Sequence, residues 1–219
     1  MKLLFDCDGT ILDSMHIWVE PINQIFAKYG FSLESLSKEE KGEIEALPLS
    51  GMITYIAENV ATDMSRDEVS AYFDEIIEDA YKNTLMPKKG ALEILSNLRE
   101  AGYEMAIASS TDSIYLKLAF ERLNIGDYFS FYTTPDLTNQ KKSQAEFWQY
   151  AIDKFNVPAD QIILYDDALY AIKAANNEGI NTCGLKDFPY NENEWEYIIE
   201  NADTILDTIA DIDIDKLGR

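Results

Sequence analysis

The sequence predicts an α/β fold: a Rossmann-like core built on a parallel sheet, with an all-helical segment inserted after the first strand. Short apolar runs alternate with amphipathic helical stretches over most of the chain, a pattern typical of strands joined by crossover helices. From about residue 15 to residue 85 this alternation stops and only helical periodicities appear. The expected core therefore comprises residues 1–14 and 86–219, and the expected inserted domain comprises residues 15–85.

The strand-like runs define the predicted sheet. They are Lys2–Asp6, Glu104–Ser109, Ser130–Thr134, Ile162–Asp166, Asn181–Leu185 and Thr204–Leu206. Helical stretches separate most of them, which favours parallel pairing with right-handed crossovers. Two glycines predict helix ends in the core. Gly102 suits the position just after a helix end, and Gly179 is expected to end the helix that begins near Ala168. Ser143 and Glu146 have capping-box spacing and predict another helix start.

The sequence of the inserted segment predicts a small helical domain that acts as a lid. Ser65 and Glu68 have capping-box spacing, which predicts a helix start. Apolar residues spaced three and four apart form three stripes: Trp18, Ile22, Ile25, Phe26 and Tyr29; Ile53, Ile56, Ala57 and Val60; and Val69, Tyr72, Phe73, Ile76 and Ala80.

The composition limits the classes of partner. Forty acidic against eighteen basic residues give a formal net charge of −22, which opposes binding to nucleic acid or to an anionic membrane surface. An anionic metabolite meets the same repulsion, so a phosphate site needs its own local positive charge. Two widely separated cysteines, and no apolar run near the ~20 residues of a membrane span, favour a cytoplasmic protein. Nothing in the sequence reveals the oligomeric state, and a monomer is the default expectation.

The motif FDCDGT follows the first strand and carries the strongest chemical signal. Asp6 and Asp8 leave the same face of an extended chain, and Gly9 permits a sharp turn. Two such carboxylates repel each other unless a cation lies between them. A second acidic pair, Asp166–Asp167, ends the strand-like run Ile162–Tyr165. Because strand carboxyl ends share one edge of a parallel sheet, the two pairs can meet there and bind Mg²⁺.

Two further residues could bind phosphate. Ser109 ends the strand-like part of MAIASST, and its hydroxyl and the loop amides that follow could hold a phosphate. Lys142 precedes the predicted helix start at Ser143. Each also has an ordinary interpretation, since Ser109 or Thr111 could cap a helix and Lys141 and Lys142 could be surface residues.

Together, FDCDGT, the serine after the second strand, a lysine before a helix and the YDD strand end resemble the haloacid dehalogenase-like hydrolase superfamily. The inserted segment and MPKKGALEILSNLREAGY resemble its phosphoglycolate phosphatase/β-phosphoglucomutase branch, which carries a helical cap. The resemblance implies that Asp6 is the nucleophile and a metal ligand, and that Asp8 is the acid–base catalyst and binds metal through its backbone carbonyl. It implies further metal ligation by Asp167 and Asp166. The expected phosphate contacts are Ser109, Ser110, Lys142, Gly9 and Thr10.

These residues predict a Mg²⁺-dependent phosphatase that hydrolyses a small phosphorylated metabolite through an aspartyl-phosphate intermediate. One alternative is a β-phosphoglucomutase-like mutase. Gly51, in the predicted cap loop Leu47–Met52, stands where the mutase pattern has an arginine, and His16 stands two residues before the mutase histidine. The sequence SQAE after Lys142 also departs from the proline-rich stretch usual in the branch. A second alternative is a catalytically degenerate protein that binds phosphate or a partner.

Overall fold

The structure is a computed structural model that describes residues 1–37, 44, 47 and 49–218. Contacts within the chain divide it into two compact units. Unit 1 combines Met1–Met15 with Tyr81–Arg219, and unit 2 is His16–Ala80. No helix in the described part of the chain is both long and apolar enough to span a bilayer.

A six-stranded parallel sheet forms the centre of unit 1 within the described residues. The strands are β1 Lys2–Phe5, β2 Met105–Ala108, β3 Phe129–Thr133, β4 Ile162–Asp166, β5 Asn181–Leu185 and β6 Thr204–Leu206. Their order across the sheet is β3-β2-β1-β4-β5-β6. The prediction of a Rossmann-like parallel sheet is therefore confirmed. β1 lies in the middle, where Leu3, Leu4 and Phe5 are fully buried.

The helices alternate with these strands after β2. They are α1 His16–Lys28, α2 Leu49–Asn59, α3 Arg66–Asp79, α4 Ala91–Glu100, α5 Ser113–Leu123, α6 Pro135–Thr138, α7 Ala145–Phe155, α8 Leu169–Asn177 and α9 Trp195–Asn201. A π-helical turn covers Ala80–Thr84. Apolar side chains of α7 and α8, including Phe147, Trp148 and Ala171, pack with Leu4 and Leu164 of the sheet.

Glycines end two helices of unit 1 as predicted. Gly102 (φ +84°) follows α4 and Gly179 (φ +80°) follows α8, both in the left-handed conformation that glycine adopts without strain. The capping box predicted at Ser143 is wrong, because α7 begins at Ala145 with Gln144 at its N-cap and no side-chain cap. The Gln144 side chain instead accepts a hydrogen bond from the Lys141 amide (2.7 Å).

Unit 2 contains α1, α2 and α3. The capping box at Ser65 is confirmed: its hydroxyl accepts from the Glu68 amide, and the Glu68 carboxylate accepts from the Ser65 amide at 2.7 Å. The predicted loop Leu47–Met52 is wrong from Leu49 onward, because α2 begins there. The buried residues of α2 are Met52, Ile53 and Ile56, so the apolar stripe begins one residue earlier than predicted. Pro48 of that predicted loop lies outside the described residues.

Candidate active site

The parallel sheet brings the functional residues of separate segments to one edge. Phe5 pairs with Tyr165 across β1 and β4 and with Ile107 across β1 and β2. The residues that follow these strands therefore emerge side by side. Asp6 follows β1, Ser109 follows β2, and Asp166 ends β4.

Three aspartates form a buried cluster at this edge. One carboxylate oxygen from each of Asp6, Asp166 and Asp167 lies within 4.8 Å of the others. The Lys142 ammonium lies 2.7 Å from Asp6 Oδ1 and 2.7 Å from Asp166 Oδ2. Three carboxylates around one ammonium leave excess negative charge when all are ionised. Burying this excess negative charge is energetically unfavourable unless a further cation is present.

The pKa values report this charge imbalance. Burial raises the pKa of Asp6 to about 6, with Lys142 opposing and Asp166 reinforcing the shift. Burial also raises the pKa of Asp167 well above its usual value, and repulsion from Asp6 and Asp166 adds to the effect. For Lys142 burial alone would lower the pKa, but Asp166 and Asp6 outweigh it and raise the pKa. The carboxyl groups of Asp6 and Asp167 therefore hold their protons to a higher pH than an ordinary aspartate does.

The donor atoms fit a hard divalent cation. All three side chains offer carboxylate oxygen, which Mg²⁺, Ca²⁺ and Mn²⁺ prefer over nitrogen or sulfur. Both oxygens of Asp166 already have partners: Oδ2 pairs with Lys142, and Oδ1 accepts from the Ala168 amide at 2.9 Å. This favours Asp6 and Asp167 as direct ligands, with Asp166 holding Lys142 in place.

Three hydroxyl groups hold the carboxylate of Asp8. Its Oδ1 accepts from Ser14 Oγ at 2.6 Å and from the Tyr81 hydroxyl at 2.5 Å, and its Oδ2 accepts from Thr111 Oγ1 at 2.7 Å. Burial raises the pKa of Asp8, the charge of Asp6 raises it further, and the three hydroxyls oppose the shift. The three hydrogen bonds orient the Asp8 carboxyl group, which can donate a proton and accept one again.

Gly9 and Thr10 lie against the aspartate cluster. Gly9 has φ +80°, and a Cβ atom there would lie 2.5 Å from Asp167 Oδ2 and 2.8 Å from Asp187 Oδ2. The Thr10 hydroxyl donates to Asp167 Oδ1 at 3.0 Å. The predicted phosphate contact Thr10 is thus engaged, through its side chain, with an aspartate of the cluster.

Asn191 joins the ends of β4 and β5 behind Asp167. Its Nδ2 donates to the carbonyls of Asp167 and Leu185, both at 2.9 Å, and its Oδ1 accepts from the Asp187 amide at 3.0 Å. The Asp187 carboxylate pairs with Lys88. These contacts hold the backbone at Asp167 in place.

The expected phosphate residues after β2 have different surroundings. Ser109 is buried, and its Oγ accepts from the Thr111 amide at 3.1 Å. Ser110 is exposed, and its Oγ lies 2.7 Å from the Tyr170 hydroxyl. The side chain that reaches the aspartates is that of buried Lys142, whereas Lys141 is exposed.

Sequence reasoning selected the acidic cluster and Lys142, and it missed the partners of Asp8. The sequence pattern of Thr111 suggests only a helix cap, yet the N-cap of α5 is Asp112. Ser14 lies six residues beyond Asp8 in a segment with no recognisable pattern. Tyr81 is separated from Asp8 by 73 residues, and no sequence signal connects them.

Comparison with known proteins identifies the family of this chain. The family model described as haloacid dehalogenase-like hydrolase matches residues 3–185. Phosphoglycolate phosphatase of Vibrio parahaemolyticus is 26% identical over 222 residues, covering 97% of this chain and 94% of that protein. A phosphorylated carbohydrates phosphatase of Thermotoga maritima is 22% identical over 183 residues, covering 81% of each.

The fold also matches solved structures. A putative β-phosphoglucomutase from Thermotoga maritima superposes with a TM-score of 0.75 at 18% identity, covering 94% of both chains. At this identity the likeness shows the fold alone. The family match spans most of the chain and includes the β1, β2 and β4 strand ends that carry the site. This chain belongs to the haloacid dehalogenase-like hydrolase family.

Proposed function

We propose that this chain is a Mg²⁺-dependent phosphatase that hydrolyses a small phosphate monoester through phosphorylated Asp6. The observation that carries the proposal is the contact between Lys142 and Asp6 beside the carboxylates of Asp166 and Asp167. A carboxylate that attacks a phosphate must approach a group of its own charge sign. Positive charge at the attacking oxygen removes this obstacle.

The proposed reaction has two steps. First, a carboxylate oxygen of Asp6 bonds to phosphorus while the ester P–O bond breaks, and Asp8 donates its proton to the departing oxygen. Second, water attacks the phosphorus of phospho-Asp6 and gives a proton to Asp8. The P–O bond to Asp6 then breaks, releasing inorganic phosphate and restoring both aspartates. The raised pKa of Asp8 suits the first step, since it favours the protonated acid.

Asp6, Asp167 and the backbone carbonyl of Asp8 would hold the metal ion, and Asp166 stands beside them with Lys142 as its partner. When bound, Mg²⁺ supplies positive charge that offsets the clustered carboxylates and the substrate phosphate. We assign Mg²⁺ because the donors are all oxygen and because the phosphate itself can complete its coordination.

Five residues are proposed to contact the phosphate. Lys142 contributes charge, Ser109 and Ser110 contribute hydroxyl and amide donors after β2, and Gly9 and Thr10 contribute donors of the loop after β1. Their position on the shared edge of the sheet supports this assignment. The Lys142 ammonium also supplies the local positive charge that an anionic substrate needs to bind a chain with net charge −22.

The proposed substrate is a small phosphorylated metabolite. The relatives named phosphoglycolate phosphatase and phosphorylated carbohydrates phosphatase support this class. The lid role of residues 15–85, the monomeric state and the cytoplasmic location remain predictions from the sequence.

The test is turnover of p-nitrophenyl phosphate, followed by a panel of phosphorylated metabolites, with and without Mg²⁺. We expect metal-dependent release of phosphate that Asp6→Asn lowers by at least ~10³-fold, because the covalent route is lost. Asp153→Asn is the matched control, since Asp153 is an exposed aspartate on α7. Turnover that persists in Asp6→Asn, or that needs no divalent metal, would overturn the proposal.

The same panel separates the alternatives. Glucose 6-phosphate formed from β-glucose 1-phosphate, without free phosphate, would indicate the mutase. Phosphate binding without turnover of any panel member would indicate the degenerate binding protein.

A further inference from the structure

Tyr170 joins the candidate site from an unexpected position. Its hydroxyl lies 2.7 Å from Ser110 Oγ, so the first turn of α8 meets the loop after β2. The buried face of α8 consists of Ala171, Ile172 and Ala175, whereas the Tyr170 residue is 48% exposed. Packing of the core therefore does not account for this tyrosine.

Tyr170 lies within electrostatic range of the charged groups of the site. Lost hydration raises the pKa of Tyr170, Lys142 opposes that shift, and Asp166 and Asp6 contribute to it. The groups that act on the phenol are thus the residues that form the cluster at the strand ends. The hydroxyl lies against Ser110, in the loop that follows β2, while much of the side chain remains accessible to solvent.

The hydrogen bond between the two hydroxyls leaves one O–H available. Whichever oxygen donates within the pair, the other keeps a proton that it can give to a third group. An oxygen of a phosphate bound by Lys142 is an acceptor of suitable charge. Hydrogen bonds to charged acceptors are stronger than neutral ones.

We propose that Tyr170 is a phosphate-binding residue whose hydroxyl, oriented by Ser110, donates a hydrogen bond to the phosphoryl group held by Lys142. The inference deepens the proposed function and rests on it, since it places the phosphate beside Lys142. It also specifies the role of Ser110, which acts mainly through Tyr170. The same contact serves the phosphomonoester substrate and inorganic phosphate, the product.

The test is calorimetric titration of inorganic phosphate into the full chain at saturating Mg²⁺. Tyr170→Phe keeps the ring and removes only the hydroxyl, and we expect it to weaken phosphate binding about tenfold. Ser110→Ala should cause a smaller loss. The double variant should bind no more weakly than Tyr170→Phe, because the serine acts through the tyrosine. Tyr197→Phe, which changes an exposed tyrosine on α9, should bind phosphate as the unaltered chain does.

Unchanged phosphate affinity in Tyr170→Phe would overturn the inference, as would losses in the two single variants that add in the double variant. An unaltered chain that binds no phosphate at saturating Mg²⁺ would overturn it as well. Turnover of p-nitrophenyl phosphate by Asp6→Asn tests the proposed function separately. If Asp6→Asn still turns over p-nitrophenyl phosphate while Tyr170→Phe weakens phosphate binding, the proposed phosphatase mechanism is wrong. The assigned contact between Tyr170 and phosphate would still stand.

Discussion

The ammonium of Lys142 lies 2.7 Å from Oδ1 of Asp6, and both side chains are buried at the carboxyl edge of the sheet. The two residues are 136 positions apart in the chain. Lys142 is the only buried lysine among the residues that the structure describes. The contact places its ammonium beside the proposed nucleophile. It compensates part of the negative charge and orients the Asp6 carboxylate.

Removing this ammonium should destabilise the metal-free protein. In Lys142→Met the volume is nearly retained, but Asp6 and Asp166 lose their buried partner. We expect the free energy of unfolding to fall by about 3–5 kcal/mol. Urea denaturation in the presence of a chelator measures it.

Lys141→Met is the matched control, because Lys141 is the exposed neighbour. It should change the free energy of unfolding by no more than about 0.5 kcal/mol. Equal effects of the two substitutions would contradict the assigned role of Lys142.

Metal binding should depend on pH with a defined sign. The pKa of Asp6 is raised from 3.8 to about 6, so below about pH 6 a proton competes with the metal for this carboxylate. We expect the apparent Mg²⁺ affinity to fall at least about tenfold per pH unit below that value, because the pKa of Asp167, the other proposed carboxylate ligand, is also raised. Proton release should accompany binding. Calorimetry in buffers of different ionisation enthalpy measures both quantities.

The same shift affects stability in the opposite direction to an ordinary salt-bridged aspartate. Between pH 3.8 and about 6 the folded metal-free state holds a proton on Asp6 that the unfolded state releases. The contribution of this group to stability is therefore lost as pH rises through that window, and Mg²⁺ should restore it. A Mg²⁺ affinity independent of pH below about 6 would contradict the account.

Gly9→Ala should damage the metal site beyond its effect on the backbone. Gly9 and Gly102 both have positive φ, so alanine at either position costs roughly 1–2 kcal/mol. A Cβ atom at Gly9 would lie 2.5 Å from Asp167 Oδ2, whereas at Gly102 it meets nothing within 4 Å. We expect Gly9→Ala to weaken Mg²⁺ binding at least about tenfold.

Gly102→Ala is the control for strain alone and should retain the Mg²⁺ affinity of the unaltered chain. Calorimetric titration of both variants with Mg²⁺ provides the comparison. Normal affinity in Gly9→Ala would show that Asp167 is not a ligand or is free to move.

Tyr81→Phe should shift the pH profile of catalysis upward. The Tyr81 hydroxyl donates to Asp8 Oδ1 and favours its ionised form. Its loss raises the pKa of Asp8, by about one unit for a hydrogen bond to a charged group. Since the first step needs protonated Asp8, the alkaline limb of kcat/KM should move to higher pH.

Tyr103→Phe provides the comparison, because its hydroxyl donates to the Leu217 carbonyl at 2.9 Å, away from Asp8. Its pH profile should match that of the unaltered chain. A shift of the Tyr81→Phe limb to lower pH, or no shift, would contradict the proposed acid.

The parts of the site that lie at strand ends were predictable from the sequence. Alternating apolar runs located β1, β2 and β4, and parallel pairing requires their carboxyl ends to share an edge. Asp6, Asp166 and Asp167 follow from that geometry with no further information. Local signals also predicted the cap at Ser65 and the glycine after α4.

The parts that depend on side chains from distant segments were not predictable. Tyr81 lies in a π-helical turn, and its contact with Asp8 exists only once the chain has folded. Tyr170 has the helical spacing of an ordinary surface residue. The incorrect helix start at Ser143 has a related cause, because capping-box spacing is a local pattern that the actual N-cap at Gln144 does not follow.

The account rests on a covalent bond between phosphorus and Asp6. Acid-quenched turnover of p-nitrophenyl phosphate with Mg²⁺, analysed by peptide mass spectrometry, tests it directly, and Asp8→Asn should prolong the intermediate by slowing its hydrolysis. The account predicts an added phosphoryl group on Asp6 that is absent from Asp6→Asn and from samples without metal. Turnover with no phosphorylated Asp6 in either the unaltered chain or Asp8→Asn, or with the phosphoryl group on another residue, would contradict it.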